Sequence, residues 1–318
     1  MSESLKMKMK TVILGSGAMG CLYGGMLAEA GYDVVLIDVW KEHIDAVNAS
    51  GLKIEGLSGD RTVRNIRGVT NPADAGSADL VIVFVKATTT EQAMRGALCL
   101  VGEDTTVLTL QNGLGNVEKL CDVVDASRVV AGTTGHGSTL VEPGHIRHAG
   151  AGDTVVGFPK SGESNDRVET LAALLNGAKL TTRVSTNVMG LIWTKLVVNI
   201  GINALTALTG LKNGRLVDIP ETMELMEMAV AEACAVAEAK GIRFEVDNPL
   251  KHTMHIARLT AANRSSMLQD VTAKRPTEVS VINGAIVEEG KRLGIATPVN
   301  AVLTNLVLTR QKTYEEIQ

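Results

Sequence analysis

The sequence is poor in aromatic residues, which make up 3% of its 318 residues. Binding surfaces for single-stranded nucleic acid depend on aromatic side chains, so this scarcity argues against such a role. The net charge is −4, and no block of lysine and arginine occurs anywhere in the chain. A basic surface for nucleic acid is therefore not expected either.

Paired cysteines and metal-binding patterns are also missing. The four cysteines are Cys21, Cys99, Cys121 and Cys234, and no two of them form a C-x-x-C pair. This spacing predicts reduced structural thiols rather than disulfides or zinc ligands. The histidines from His136 onward likewise have no partners at metal-ligand spacing, so no metal site is expected.

Long uncharged apolar runs are absent as well. The most apolar segment, residues 191–208, is interrupted by Lys195, Asn199 and Asn203, whereas a membrane span needs about 20 predominantly apolar residues. The first ten residues, MSESLKMKMK, lack the apolar core of a signal peptide. We therefore expect a soluble, cytoplasmic protein without a membrane partner.

The clearest positive signal is the run GSGAMG at residues 15–20. An apolar, β-branched segment precedes it at 11–14, and a helical segment follows it at 21–30 and ends at Gly31. A second apolar strand at 34–37 leads to Asp38, 18 residues beyond Gly20. Strand, G-x-G-x-x-G, helix, strand and acid in this order are typical of a dinucleotide-binding βαβ unit.

Each part of this pattern has a physical role. Gly15 makes the tight turn, Gly17 lets the backbone approach a pyrophosphate, and Gly20 lets the helix pack close to the strand. The free N–H groups at the start of the helix then meet the phosphate charge. The cofactor-binding candidates from this unit are Gly15, Ser16, Gly17, Ala18, Met19, Gly20 and Asp38.

The rest of the chain divides into two halves. Short apolar strands alternate with helical stretches up to about residue 185, which predicts an α/β, Rossmann-type doubly wound sheet. Residues 136–158 contain strand-like pieces separated by glycine and proline, which predict antiparallel strands appended to that sheet. Beyond residue 187 the pattern is helical. We therefore expect a dinucleotide-binding domain at 1–186 and an all-helical substrate and catalytic domain at 187–318.

A narrow polar stripe marks the helical half. Lys195, Asn199 and Asn203 are four residues apart and share one helix face, while their neighbours are apolar. The spacing alone leaves two interpretations open: a thin solvated face, or a partly desolvated lysine with a lowered pKa that is suited to proton transfer. Lys86 and the segment 111–113 follow two other strands and could be strand ends or ligand contacts.

Taken together, these motifs resemble the ketopantoate reductases (2-dehydropantoate 2-reductases) over nearly the full chain. The motifs that carry the resemblance are GSGAMG at 15–20, VK at 85–86, QNG at 111–113, K-x-x-x-N-x-x-x-N at 195–203, SSMLQD at 265–270 and TEV-x-x-INGAIV at 277–287. The resemblance implies reduction of the keto group of ketopantoate to give pantoate, on the route to pantothenate and coenzyme A.

The resemblance also implies roles for individual residues. Lys195 matches the family's general acid, and Glu278 matches the acid that supports catalysis and helps to position the lysine. The residues that match substrate-holding groups are Asn199, Asn203 and Ser266. Asn112 matches a residue at the junction of nicotinamide and substrate, and Lys86 matches one that contacts the cofactor.

The sequence departs from the family pattern just after the second strand, at a position that affects the expected cofactor preference. The family usually prefers NADPH and often has an arginine just past the second strand, where this chain has Asp38, Val39 and, further on, Lys41. Asp38 would accept a hydrogen bond from a ribose 2′-OH and repel a 2′-phosphate, which favours NADH.

Two alternative functions stay open beside ketopantoate reduction. They are a related dehydrogenase for another small 2-keto or 3-hydroxy acid, or a non-catalytic dinucleotide-binding sensor. A homodimer is possible.

Overall fold

The computed structural model describes residues 9–160 and 166–316. Residues 1–8 lie outside the described residues, and they include most of the N-terminal segment that is not expected to form a signal peptide. The chain forms two compact units. One comprises Met1–Gln111 and Asn116–Val188, and the other comprises Asn112–Gly115 and Met189–Gln318.

The strands of the first unit are β1 (Lys10–Leu14), β2 (Asp33–Ile37), β3 (Leu52–Gly56), β4 (Arg61–Val63), β5 (Arg67–Val69), β6 (Ala78–Val83), β7 (Val101–Thr109), β8 (Val129–Thr134), β9 (Gly137–Glu142), β10 (His145–Gly150), β11 (Thr154–Gly157) and β12 (Thr182–Val184). The unit is built on an eight-stranded sheet with the order β12-β11-β8-β7-β6-β1-β2-β5. Neighbouring strands of this sheet are parallel except for β8 and β11, which are antiparallel.

Both faces of this sheet are buried. Ile13 of β1 belongs to a core that includes Leu22 and Leu174, whereas Val12 of the same strand belongs to a second core that includes Met94. Alternate residues of β1 therefore enter different cores, because successive side chains of a strand point to opposite faces. The helices of the unit are α1 (Ala18–Glu29), α2 (Lys41–Ser50), α3 (Thr90–Gly96), α4 (Asn116–Cys121) and α5 (Asp166–Gly177). The doubly wound α/β architecture expected from the sequence is confirmed.

The antiparallel strands expected at 136–158 are present but are divided between two sheets. β11 extends the large sheet by pairing with β8. β9 and β10 form an antiparallel hairpin in a separate four-stranded sheet with the order β4-β3-β10-β9. In that sheet β10 runs parallel to β3, so that His145 pairs with Lys53.

The second unit is helical. Its helices are α6 (Val188–Thr209), α7 (Pro220–Ala239), α8 (Pro249–Leu259), α9 (Ser266–Thr272), α10 (Asn283–Leu293) and α11 (Pro298–Lys312). Gly201 lets α6 pack closely, because a Cβ atom there would lie 2.7 Å from Thr253 Cγ2 on α8. Within the described ranges, α6 alone is long and apolar enough to cross a membrane, and 67% of its most apolar window is buried in the protein. Such burial is typical of the core helix of a soluble protein.

Candidate active site

Two glycines of the GSGAMG segment, one in the turn after β1 and one in the first turn of α1, are required by the protein's own packing. Gly15 has a φ of +98°, and a Cβ atom there would overlap with the backbone of Phe84 and Val85. A Cβ atom at Gly20 would overlap with the carbonyl oxygen of Gly15 and lie 2.9 Å from Ile13 Cγ2. The first glycine therefore permits the turn, and the last permits α1 to pack against β1.

Gly17 differs from both Gly15 and Gly20. Its φ is −65°, which any residue adopts, and no atom from elsewhere in the described part of the chain lies within 4 Å of the position its Cβ atom would take. Helix α1 begins directly after it, without a side-chain cap and without an acidic residue in its first turn. The open space and the N–H groups at the helix start fit a phosphate group, because helix N-termini favour anions.

Asp38 is joined to this loop by hydrogen bonds. The Ser16 N–H donates to Asp38 Oδ2 at 2.9 Å, and the Trp40 N–H donates to Asp38 Oδ1 at 3.0 Å. The Ser16 hydroxyl and the Gly15 N–H both donate to the carbonyl oxygen of Ile37. Each carboxylate oxygen has a further acceptor position, so the half-buried Asp38 fits a ribose hydroxyl.

The ends of β6 and β7 differ in detail from the sequence-based expectation. β6 ends at Val83, and Lys86 lies three residues later, exposed, at the start of a short 3-10 helix. Gln111, which the sequence indicates only as part of the segment 111–113 that could be a strand end or a ligand contact, joins the two strand ends. Its side-chain amide donates to the Val85 carbonyl oxygen at 2.6 Å and to Thr90 Oγ1 at 2.9 Å. A polar side chain at the end of a buried strand was the signal for it.

In the second unit, α6 presents the predicted polar stripe. Lys195 and Asn199 are half-buried and Asn203 is buried, while Leu196, Val197 and Ile200 are part of the apolar core. Burial lowers the pKa of Lys195 to about 8, although the negative charge of Glu278 raises it. Lys195 is therefore partly desolvated, which favours the second of the two interpretations left open by the spacing.

Asn112 lies in the same compact unit as Lys195 and Glu278, although it is distant from them in sequence. The Leu114 N–H donates to the carbonyl oxygen of Val281 at 2.9 Å. Gly113 has a φ of +83°, and a Cβ atom there would lie 2.5 Å from the same oxygen. The segment after Asn112 thus contacts the 3-10 helix that directly follows Glu278.

Two adjacent serines at the start of α9 have different surroundings. Ser265 is buried and caps the helix, because its Oγ accepts a hydrogen bond from the Leu268 N–H at 3.0 Å and lies 2.7 Å from Thr206 Oγ1 on α6. Ser266, the candidate substrate residue, is the first residue of α9 and is exposed. Ser265 therefore connects the start of α9 to the helix that carries the polar stripe.

Asn283 is a buried polar residue to which the sequence reasoning assigned no role, although it lies within the INGAIV motif. Its side-chain amide donates to the Ile200 carbonyl oxygen at 3.3 Å and to Asn300 Oδ1 at 3.0 Å. These bonds join α10 to α6 one residue beyond Asn199 and also to α11. An asparagine among apolar helix residues was the only local signal for this role.

Comparison with known proteins agrees with these features. Residues 11–161 match the family model described as "Ketopantoate reductase PanE/ApbA", and residues 187–311 match "Ketopantoate reductase PanE/ApbA C terminal". A 2-dehydropantoate 2-reductase of Halobacterium salinarum is 39% identical to the chain over 304 residues, which cover 96% of this chain and 99% of the relative. The chain belongs to the ketopantoate reductase family. This membership confirms the resemblance inferred from the motifs.

Solved structures extend the similarity to the whole fold. The crystal structure of a PanE/ApbA family ketopantoate reductase from Ralstonia eutropha JMP134 is 35% identical, has a TM-score of 0.90, and is matched over 97% of this chain and 100% of that chain. A ternary structure of D-mandelate dehydrogenase with NADH and anilino(oxo)acetate is 28% identical and has a TM-score of 0.89, with 96% and 99% of the two chains covered. Members of this family are nicotinamide-dinucleotide-dependent oxidoreductases that act on small molecules.

Proposed function

We propose that this protein reduces 2-dehydropantoate (ketopantoate) to pantoate with a reduced nicotinamide dinucleotide. The observation that carries the proposal is the partly desolvated Lys195 on the polar stripe of α6, with a pKa lowered to about 8. A general acid is most effective when its pKa lies near the working pH. The curated relative from Halobacterium salinarum bears the corresponding enzyme name.

We assign dinucleotide binding to residues 1–186 and substrate binding and catalysis to residues 187–318. The cofactor supplies a hydride when it is bound. The N–H groups of Gly17 and of the start of α1, from Ala18 through Met19 to Gly20, hold its phosphates. Gly15 and Ser16, whose own N–H groups donate to Ile37 and Asp38, shape the turn beside them, and Asp38 holds a ribose hydroxyl. Lys86 and Asn112 complete the proposed cofactor contacts.

Lys195 acts as the proton donor in this proposal. Its ammonium group stabilises the negative charge that develops on the substrate oxygen and donates a proton to that oxygen. Glu278 keeps the lysine protonated, because its charge raises the pKa that burial lowers. The groups proposed to orient the substrate's hydroxyl and carboxylate are Asn112, Asn199, Asn203 and Ser266.

We further propose that the enzyme prefers NADH. The carboxylate of Asp38 disfavours a 2′-phosphate, and the nearby Lys41 is paired with Asp45 at 2.5 Å. Lys41 and Asp45 are both well exposed, so this pair is weak, but it draws the ammonium group along α2. The D-mandelate dehydrogenase structure was solved with NADH, which also supports the proposal.

The experiment that tests the proposed function is a cofactor-oxidation assay with ketopantoate, run in parallel with NADH and NADPH. Predominant turnover with NADH would support both the substrate and the cofactor preference. Turnover only with NADPH would retain the substrate and reject the argument from Asp38. If neither cofactor is oxidised, the same assay with an aryl 2-keto acid tests the related-dehydrogenase alternative, and tight cofactor binding without any turnover would indicate a sensor.

We also propose a cytoplasmic location without membrane association. The burial of most of the apolar window of α6 within the protein supports it, because a buried helix is not available to lipid. Fractionation of cells that express the full chain would test it, and recovery in the membrane fraction would contradict it.

A further inference from the structure

The chain has two tryptophans, and one of them, Trp40, is partly exposed. Its relative exposure is 39%, whereas that of Trp193 is 1%. Trp40 lies two residues beyond Asp38, at the N-cap of α2, and its neighbour Val39 is 93% exposed. Two accessible apolar side chains, Val39 and Trp40, therefore directly follow the proposed ribose-binding carboxylate in the chain.

The position of Trp40 is fixed at both its backbone and its ring. Its N–H donates to Asp38 Oδ1 at 3.0 Å. Its indole stacks on the imidazole of His43, with ring centroids 5.5 Å apart and an interplanar angle of 20°. The indole is thus held on one side by another ring, while part of its surface stays accessible.

His43 is itself held in place beneath the indole. It is 1% exposed, and its Nδ1 accepts a hydrogen bond from the Gly144 N–H at 3.2 Å. Its Nε2 lies 3.2 Å from Cys21 Sγ. Because Nδ1 is an acceptor, the neutral ring carries its proton on Nε2 and donates it to the sulfur. The stacked pair is therefore anchored to α1 and to the β9–β10 turn.

The chemistry of a dinucleotide determines what would lie beside Asp38. The adenine base is attached to the ribose carbon next to the one that bears the 2′-OH. A ribose held through its 2′-OH by Asp38 therefore places the adenine close to that carboxylate. A purine ring is flat and apolar on its faces, and it stacks favourably on tryptophan.

We propose that the indole of Trp40 stacks on the adenine of the bound dinucleotide and that His43 is a positioning residue behind it. This inference rests on the proposed dinucleotide site at Asp38. It identifies Trp40 as a determinant of affinity for the adenosine half of the cofactor, separate from the substrate residues of the second unit.

Fluorescence provides a test that does not depend on turnover. The tryptophan emission of the full chain is recorded while ADP-ribose, which carries the adenine, or nicotinamide mononucleotide, which lacks it, is added. The difference between wild type and W40F isolates the signal of Trp40. We expect ADP-ribose to quench that signal and nicotinamide mononucleotide to leave it unchanged.

Affinity measurements on variants complete the test. W40A should raise the Kd for ADP-ribose by about 5- to 150-fold, because that is the usual contribution of one stacked base. W40F should recover part of the loss, and H43Q should raise the Kd without changing kcat at saturating cofactor. V39A, at the exposed neighbouring position, is the matched control and should behave as wild type.

The outcomes separate this inference from the proposed function. If ADP-ribose binds wild type and W40A with equal Kd and does not quench Trp40, the stacking proposal is overturned while dinucleotide binding stands. If ADP-ribose does not bind wild type at all by calorimetry, both proposals are overturned. Quenching by ADP-ribose that is present in wild type and absent from W40F supports the inference even if W40A does not fold.

Discussion

The negative charge of Glu278 raises the pKa of Lys195, in opposition to the burial that lowers it to about 8. The two residues lie 83 positions apart in sequence but belong to one compact unit. The balance between burial and the charge of Glu278 determines the fraction of Lys195 that is protonated near neutral pH. It therefore links the identity of residue 278 to the pH dependence of catalysis.

We expect kcat/KM to fall as the pH rises through about 8, because Lys195 must be protonated to act as an acid. In E278Q the charge that raises the lysine pKa is lost, so the falling limb of the profile should move to lower pH. The measurement is kcat/KM for ketopantoate as a function of pH. E289Q is the control, since Glu289 pairs with Lys240 and Arg292 instead, and its profile should match that of wild type.

Removal of the lysine itself should be more severe. K195A should lower kcat on the order of 10²- to 10⁴-fold, which is the usual contribution of a general acid. Cofactor affinity should change little, because the proposed dinucleotide contacts are made mainly by the first unit. Steady-state kinetics and calorimetric titration with NADH check the two halves of this prediction, and an unchanged kcat would remove Lys195 from the mechanism.

The glycines of the GSGAMG segment provide a second test, because a methyl group meets open space at Gly17 and close neighbours at Gly20. G17A places a methyl group in open space and should leave the melting temperature unchanged while weakening dinucleotide binding. G20A forces a methyl group against the Gly15 carbonyl oxygen and Ile13, and overpacking of this kind costs about 1–3 kcal/mol in the free energy of unfolding. Thermal unfolding and NADH titration of both variants separate the effects. Normal cofactor binding by G17A would contradict the assignment of this space to a phosphate.

Asp38 should control the choice of cofactor. D38N removes the negative charge and retains one side-chain oxygen, which can still accept from either the Ser16 or the Trp40 N–H but not from both. We expect the ratio of kcat/KM for NADPH to that for NADH to rise. D45N is a useful companion variant, because it releases the ammonium group of Lys41 from its partner and should raise the same ratio more weakly. A ratio that is unaffected by D38N would show that this carboxylate does not discriminate between the cofactors.

The elements that the sequence predicts well are those determined by local patterns. The βαβ unit around Gly15–Gly20 and the long helix α6 follow from periodicity within short windows. The second sheet does not, because β3 and β4 are short and carry charged residues such as Lys53 and Glu55. Its central pairing, of β10 with β3, joins His145 to Lys53 across a long stretch of chain. A local pattern holds no information about such a partner.

The site shows the same division. The spacing of four predicts that Lys195, Asn199 and Asn203 share one helix face, whereas their roles in the site follow only from the family resemblance. The inclusion of Asn112 in the unit that holds Lys195 could not be predicted, since it depends on a tertiary hydrogen bond from the Leu114 N–H to Val281. The surroundings of Trp40 could not be predicted either, because the charges near Asp38 hold no information about a ring that stacks on His43.

The start of α11 provides a stability prediction in the unit that holds the catalytic candidates. Glu232 of α7 accepts hydrogen bonds from the Val299 and Asn300 N–H groups at 2.8 and 2.9 Å and from the Asn300 side chain at 2.7 Å. Its carboxylate therefore caps α11 from a neighbouring helix, where the helix dipole also favours a negative charge.

E232A should lower the free energy of unfolding by about 1–2 kcal/mol, as loss of a cap does. Denaturant unfolding of E232A beside E227A, an exposed glutamate of the same helix, measures the difference. Equal stability of the two variants would show that this carboxylate does not hold α11 in place.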